Sequence, residues 1–461
     1  MVARLLIERL VAGGTGLAQL HGMKVFVPFS APGERVKARL VLKKRDYAVA
    51  AIEEVIEPSP DRVTPPCPYF GDCGGCQLQH LKYEAQLVAK KLIIADALQR
   101  IGRIFVPVRN ITPADPVFRY RNKTQYPVGR TRGHKPVAAS QVQPAQIVDR
   151  RSQIVDSPAV GFYRHETHDL VDIPSCLLHP ETFDRMRQVF LDSLVATGEQ
   201  PYDEKTDKGN VRHLLLKTNG AEHLAVVVTR TESLAPEVVQ ALAGEPGVTG
   251  VIQNVNPDRT NRILGDRFVV HSGQDWLDLK VLDRTFRVSP GTFFQVNLPQ
   301  AEEICRKVLK FLAPTGDEEL LDLYSGVGML SLAAARFVKA VTGIEYDETS
   351  VRDARLNAER NNEPNARFIA ADVDASVSQV ARADLVVLDP PRKGCSPTTL
   401  KALTMLKPRR MVYVSCSPAT LARDLNVLET LGYRATDVEP VDMFCQTSHV
   451  EVVCRLEPGP A

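Results

Sequence analysis

The sequence predicts a multidomain protein. A small β-barrel occupies residues 1–57, a central α+β domain 58–285, and a C-terminal α/β domain with a doubly wound, mainly parallel sheet 286–461. Three observations predict this. Short β-rich runs separated by turn signals fill the first sixty residues. A Pro-rich stretch, PSPDRVTPP at 58–66, interrupts them. From Glu319 onward, apolar strand candidates alternate with helical stretches. A chain of 461 residues accommodates two to four domains at ~100–200 residues each.

Hydrophobic residues make up 44% of the chain, enough for each domain to bury a core, which excludes fibrous and wholly disordered classes. No apolar run approaches the ~18–20 residues of a membrane span. The opening MVARLLIERL carries Arg4, Glu8 and Arg9 inside its apolar run, which spoils it as a signal peptide. The expectation is a cytoplasmic protein with no membrane partner and no obligatory protein partner. A net charge of +2 leaves any polyanionic partner to local clustering.

In the barrel, the strand candidates are Arg4–Leu10, Met23–Val27, Arg35–Leu42 and Ala48–Ile56, with turns at Gly13-Gly14 and Pro32-Gly33. Strands this short suggest an oligonucleotide-binding type of barrel. The stretch Arg35–Arg45 contains six cations and no acid, and Arg35, Lys37 and Arg39 share one strand face. They either meet nucleic acid or form a solvated edge that blocks strand pairing. In the central domain, a helix is expected over Lys82–Arg103. No acid occurs from Val117 to Val148, where Arg119, Arg121, Lys123, Arg130, Arg132 and Lys135 interleave with Phe118, Tyr120 and Tyr126. Cations neutralise phosphates and aromatic faces stack on unpaired bases, so two such stretches favour a nucleic-acid partner.

Nine cysteines in a large cytosolic chain favour metal binding or catalysis over disulfides. Cys67-x5-Cys73-Gly-Gly-Cys76, with Cys176 a hundred residues on, gives three local thiols and a remote fourth. Zinc sites more often use two close pairs, whereas iron–sulfur clusters take a run plus a remote ligand, so the spacing favours a cluster.

The C-terminal strand candidates are Glu319–Tyr324, Val341–Glu345, Arg367–Ala371, Asp384–Asp389 and Arg410–Cys416, a Rossmann-like series whose ligands sit at the strand carboxyl ends. The first is followed by the glycine turn containing Gly326 and Gly328. The second ends at Glu345, about twenty residues on, where a carboxylate can accept from a ribose. The third ends near Asp372 and the fourth in Asp389-Pro-Pro-Arg392. Acids at successive strand ends repel a polyphosphate and suit a cationic nucleoside, S-adenosylmethionine.

The segments Phe293-Phe-Gln-Val-Asn297, Asp322-Leu-Tyr-Ser-Gly-Val-Gly328, Asp389-Pro-Pro-Arg-Lys-Gly394, Ser415-Cys-Ser-Pro-Ala-Thr-Leu-Ala-Arg-Asp424 and His449-Val-Glu451 resemble the RNA uracil-5-methyltransferase family. The barrel and the cysteines resemble its TRAM-domain, iron–sulfur branch, best known for 23S ribosomal RNA. The resemblance covers essentially the whole chain. It implies a TRAM barrel, a [4Fe–4S] cluster on Cys67, Cys73, Cys76 and Cys176, and a methyltransferase domain. It also puts Gln295, Tyr324, Glu345 and Asp389 on cofactor-contact positions, with Asp372 a weaker transfer. The chain departs from the family pattern at Met329, where a small polar residue is common, and at Ser417, where Asn is usual.

C5 of uracil is a poor nucleophile until a thiolate adds at C6, and a base must then remove the C5 proton. By the resemblance Cys416 is the thiol and Glu451 the base. The turn and helix start after Cys416 are expected to lower its pKa. The target uridine has to be extruded from its stack. The expected substrate is 23S ribosomal RNA, placing the enzyme in rRNA processing. The rivals are the T-loop uridine of transfer RNA and a catalytically inactive RNA-binding protein. A radical iron–sulfur enzyme is disfavoured because four cysteines close the metal site.

Overall fold

A computed structural model describes residues 1–132, 156–165 and 167–459. Lys135 therefore lies outside the described residues. The first sheet comprises β1 (Val2–Leu6), β2 (Arg9–Val11), β3 (Thr15–Leu20), β4 (Met23–Val27), β5 (Arg35–Lys43) and β6 (Tyr47–Glu57), in the order β1-β5-β6-β4-β3-β2. β1 and β2 are two residues apart in the chain yet occupy opposite edges, so the sheet curls back on itself. Leu5, Val25, Val27, Val36 and Ala48 fill its inside. The strand expected over Arg4–Leu10 is thus two strands, broken at Ile7-Glu8. β3 was not anticipated: Thr-Gly-Leu-Ala-Gln-Leu has weak strand propensity. Gly16 is needed there because a Cβ would collide with Ser30 Oγ.

After the cysteine loop, α1 (Tyr83–Ala97) runs into a π-helical turn, Leu98–Gly102, closed by Arg103 at φ 56°, matching the expected helix. A Cβ on Gly102 would stand 2.8 Å from the Ala422 carbonyl oxygen, so only glycine allows this close approach. The second sheet contains β7 (Lys123–Arg132), β8 (Asp156–Tyr163), β9 (Leu170–Asp172), β10 (Val211–Thr218), β11 (His223–Thr229), β12 (Val248–Val255) and β13 (Arg267–Gly273), ordered β13-β12-β11-β10-β7-β8-β9. Helices α2 (Glu181–Thr197) and α3 (Pro236–Ala243) cover one face through Phe183, Phe190, Leu194 and Leu242. The hairpin β14 (Leu277–Val281) and β15 (Arg284–Val288) leads to α4 (Leu298–Leu312).

The third sheet comprises β16 (Glu319–Leu323), β17 (Ala340–Glu345), β18 (Ala366–Ala370), β19 (Leu385–Leu388), β20 (Arg410–Ser415), β21 (Tyr433–Val441) and β22 (Glu451–Pro458). Its order is β18-β17-β16-β19-β20-β22-β21, and only β22 runs against the rest. The connecting helices are α5 (Met329–Ala335), α6 (Glu348–Arg360), α7 (Val373–Ser376), α8 (Pro397–Met405) and α9 (Pro418–Thr430). Each face of this sheet has its own apolar cluster, one gathering α4, α5 and α6 and the other α1, α8 and α9. The expected doubly wound sheet is therefore present. The order reverses between β16 and β19, which opens a crevice at their carboxyl ends. The edge strand β21 is covered, because Arg109 N donates to Val438 O at 2.9 Å and Thr112 N to Pro440 O at 3.0 Å. Among the described residues no helix is long and apolar enough to cross a membrane.

Candidate active site and cysteine pocket

At the end of β16 the chain turns through Tyr324, Gly326 and Gly328 at φ of 65°, 53° and 85°. Gly328 caps α5, and a Cβ there would stand 2.8 Å from the Phe368 ring. Glu345, at the end of β17, accepts from Gly326 N at 3.0 Å and from Asp347 N at 2.9 Å. It holds the glycine turn as well as facing the crevice. Three buried polar atoms nearby in the sequence motifs, Gln295 Oε1, Asp322 Oδ1 and Ser325 Oγ, have no hydrogen-bond partner among the described residues. Buried polar groups are normally paired, so these fit a polar ligand such as S-adenosylmethionine. Gln295 is only 5% exposed, and its backbone oxygen accepts from Asn122 Nδ2 at 3.0 Å.

Asp372 is exposed, and its Oδ1 accepts from Ala375 N at 3.0 Å, so it serves as the N-cap of α7. Met329 is buried in the apolar cluster beneath the turn, which accounts for the missing polar residue. Ser417 caps α9, a role its hydroxyl performs as well as an amide would.

Cys416 follows the last residue of β20. Ser415 pairs with Val452 in the antiparallel ladder to β22, so the next position of that register sets Cys416 beside Glu451. Glu451 is 4% exposed. Burial, reinforced by Asp389 and opposed by Arg392, pushes its carboxyl well above the usual range. Burial, with Glu451 and Asp389 adding and Arg392 opposing, pushes Cys416 up to about 11. The expected lowering by the helix start is therefore not what this environment produces: desolvation and two neighbouring carboxyls outweigh it. Burial, together with Asp322, raises Asp389 to about 7. Burial raises Asp322 likewise to about 7, although Ser331 Oγ donates to it at 2.6 Å.

Arg392 and His449 lay inside recognised motifs without an assigned role. Arg392 Nη2 donates to His449 Nε2 at 3.4 Å. Burial, then Arg392, lowers His449 to about 4, so the ring is neutral at pH 7 and accepts. The cation after the Pro-Pro pair opposes the upward shifts of both Cys416 and Glu451.

Cys67, Cys73, Cys76 and Cys176 are free thiols that line one cavity of about 90 Å³ with Tyr69, Phe70, Gln79 and Arg121. Burial pushes Cys73 and Cys76 up to about 12 and Cys176 to about 11. Each of these thiols feels at least one of the others. Among the described residues no group of three or more ligating side chains is close enough to hold a single metal ion.

Two of the central cations, Arg119 and Arg121, serve this pocket. Arg119 Nη1 donates to Cys176 O at 2.7 Å and His179 O at 2.8 Å, and the guanidinium pairs with Asp184 and Glu181. Arg121 turns inward to the cavity, its guanidinium 6.0 Å from the Phe444 ring. Lys123 is half-buried, and burial lowers it to about 8. In the first sheet, Arg35 pairs with Glu57 at 3.1 Å and Arg39 with Glu53 at 3.3 Å, with Lys37 4.0 Å from Glu53. The alternation of cations was legible, but not the acids opposite them on β6.

The chain matches the family described as tRNA (Uracil-5-)-methyltransferase over residues 260–458, and the tRNA (uracil(54)-C(5))-methyltransferase TRAM domain over residues 3–60. An uncharacterized RNA methyltransferase of Halalkalibacterium halodurans is 38% identical over 99% of this chain and 97% of its own length. One from Gloeobacter violaceus is 39% identical over 98% and 95%. The crystal structure of Pyrococcus abyssi tRNA (uracil-54, C5)-methyltransferase, in complex with S-adenosyl-L-homocysteine, is similar with a TM-score of 0.77. It is 28% identical and covers 98% of this chain and 99% of that one. With a TRAM domain in front and the methyltransferase sheet behind, the chain belongs to the RNA uracil-5-methyltransferase family, enzymes that take their methyl group from S-adenosylmethionine.

Proposed function

We propose that Cys416, having lost its proton to solvent, adds as the thiolate to C6 of a uridine in RNA. C5 then takes the methyl group from the sulfonium as its S–CH3 bond breaks to leave the thioether, and Glu451 as the carboxylate removes the C5 proton as the C6–S bond breaks. The observation that carries this is the cross-strand placement of Cys416 and Glu451 at the ligand edge of the sheet. S-adenosylmethionine supplies an electrophilic methyl on a sulfonium. Gln295, Tyr324, Gly326, Gly328, Glu345 and Asp389 are the residues to hold it, and Asp372 keeps one carboxylate oxygen beyond its cap. The substrate we favour is ribosomal RNA, supported by the cysteine pocket joined to a TRAM barrel. Transfer RNA position 54 is the second reading, favoured by the whole-chain similarity to the Pyrococcus abyssi enzyme. Mapping 5-methyluridine in both RNAs from a strain lacking the gene separates them. If neither RNA loses it, the function proposed here fails.

In the free protein Cys416 holds its proton at neutral pH. Alkylation of Cys416 by iodoacetamide, followed by peptide mass spectrometry, is expected to speed up about tenfold per pH unit between 7 and 9, since the thiolate fraction grows so below a pKa near 11. Arg392→Ala removes the opposing cation and should slow alkylation at pH 8 by roughly tenfold, about one pKa unit. A rate flat above pH 7 would contradict the raised pKa.

The four thiols fit a [4Fe–4S] cluster. The reading is supported by four thiols lining one cavity of about 90 Å³, three from one short loop and a remote fourth. Anaerobically purified protein is expected to be brown, with about four irons per chain. One zinc and no iron would overturn the assignment. Cys176→Ser should destabilise the central domain as much as Cys73→Ser.

For RNA contact, Lys43, Lys44 and Arg45 at the β5–β6 turn are exposed and enter no ion pair among the described residues. Tyr47 stands beside them, edge-on to Phe26 at 5.6 Å. Neutralising these three cations should flatten the log–log salt dependence of RNA binding by ~2–3, and neutralising Arg35, Lys37 and Arg39 by less. An unchanged slope for the turn variant would return the turn to ordinary solvated surface.

A further inference from the structure

The segment from Asp442 to Val450 leads directly into Glu451 and carries His449. It is held from outside the catalytic sheet. Gln77, the residue after Cys76, is the centre of that hold. Its Nε2 donates to Gly74 O at 2.8 Å, inside the cysteine loop. Its Oε1 accepts from Ser448 N at 3.2 Å. Its backbone N, and that of Leu78, donate to Gln446 O at 3.2 and 3.0 Å. Gly14 of the barrel closes on the same point: a Cβ there would stand 3.2 Å from Ser448 Cβ and 3.3 Å from Gln77 Cβ. Barrel, cysteine loop and base-bearing segment thus meet at Gln77 and Ser448.

We propose that Gln77 is a positioning residue for the proton-removal step, fixing the base-bearing segment to the cysteine loop so that Glu451 stays aligned with C5. The inference rests on Glu451 being the base. Among the described residues Gln77 forms no hydrogen bond with Cys416, and it follows Cys76 rather than being one of the four cysteines, so losing its side chain removes neither the nucleophile nor a thiol. Its amide serves two masters. The Nε2 end reads the shape of the Cys73–Cys76 turn, and the Oε1 end sets Ser448, three residues before Glu451. A misplacement of about 1 Å at a reacting group lowers rates on the order of a hundredfold, so a single hydrogen bond at this distance is enough to matter.

The test uses the full chain with its metal, comparing Gln77→Ala, Gln77→Glu and Glu451→Gln. Four quantities are read: metal per chain, amide hydrogen exchange over residues 442–451 without RNA, covalent RNA adduct on a denaturing gel, and tritium release from RNA carrying 5-tritiated uridine. Gln77→Ala is expected to keep its metal and its rate of adduct formation. Exchange in the segment should rise at least about tenfold, and tritium release should slow about ten- to a hundredfold, with adduct accumulating. Gln77→Glu retains the acceptor for Ser448 N and should restore tritium release to within about threefold of the unaltered protein. Unchanged exchange and release in Gln77→Ala, with Glu451→Gln accumulating adduct, would overturn the positioning role alone. Equal slowing of adduct formation and release, or loss of metal in Gln77→Ala, would also overturn it, because the residue would then only support the loop. Glu451→Gln that releases tritium normally would instead overturn the base assignment.

Discussion

Cys416→Ala is expected to form no covalent adduct with RNA and to lose methyl transfer by on the order of 10⁴-fold or more, because C5 stays unreactive without addition at C6. Glu451→Gln should behave differently. It still allows attack and methyl transfer, but the C5 proton remains and the C6–S bond cannot break. Turnover falls roughly 10²–10⁴-fold, while enzyme linked to methylated RNA accumulates. RNA containing 5-fluorouridine should trap the unaltered enzyme in the same form, since fluorine cannot leave as a proton does. The readout is a shifted, label-bearing band on a denaturing gel after incubation with methyl-labelled S-adenosylmethionine. A band from Cys416→Ala would falsify the nucleophile. Normal turnover by Glu451→Gln would move the base to Asp389, the nearest alternative carboxyl. The raised pKa of Glu451 suits this role: a carboxylate so disfavoured by its surroundings takes a proton readily once ionised.

The second large effect is on stability. Lys90 on α1 and Asp442, the residue after β21, have side chains that are both 0% exposed, with Nζ 2.5 Å from Oδ1. Tyr83 OH donates to the other oxygen at 2.9 Å, and Lys90 also donates to Phe444 O at 3.1 Å. Lys90→Met leaves Asp442 charged and buried without its cation, which costs about 3–5 kcal/mol. Replacing both, as Lys90→Met with Asp442→Leu, should recover most of that, because two apolar side chains need no pairing. Urea denaturation of the two single variants and the double variant gives the coupling. A loss under about 1 kcal/mol for Lys90→Met would show that water or another group already solvates Asp442.

Much of the catalytic half was legible because a parallel sheet writes itself as alternating apolar runs and places its chemistry at strand ends. Glu345, Asp389 and Cys416 stand out that way, each at or just after the end of a strand, whereas the role given to Tyr324, like the nucleophile role of Cys416, came with the motifs around them. Glu451 was not: as the first residue of β22 it reads as a strand acid, and only the motif around it gave its role. Orientation was the harder quantity. Arg119 and Arg121 sit in an acid-free stretch, yet both turn toward the cysteine pocket, Arg119 to satisfy the carbonyls of Cys176 and His179 and Arg121 to lie against Tyr120 and Phe444. The pairing of Arg35 with Glu57 and of Arg39 with Glu53 depends on the register between β5 and β6, which no local pattern contains. The upward shift of Cys416 comes first from burial and then from Glu451, thirty-five positions away in sequence, and neither is written in its local pattern.

The hold on the base-bearing segment joins residues very far apart along the chain. Lys90 and Asp442 are 352 positions apart, Tyr83 and Asp442 359, and Gln77 and Ser448 371. The cysteine pocket needs only the span from Cys67 to Cys176. Contacts over short spans form before contacts over long ones, and a growing chain folds from its amino-terminal side. The order of assembly follows: the cysteine pocket is complete while the strand bearing Glu451 is still to be made, and it then serves as the template on which that strand's approach is set. Pulse-labelled chains should therefore gain protease resistance around Cys67–Cys76 before they gain it around Glu451, and the reverse order would show that the catalytic sheet builds its own edge first.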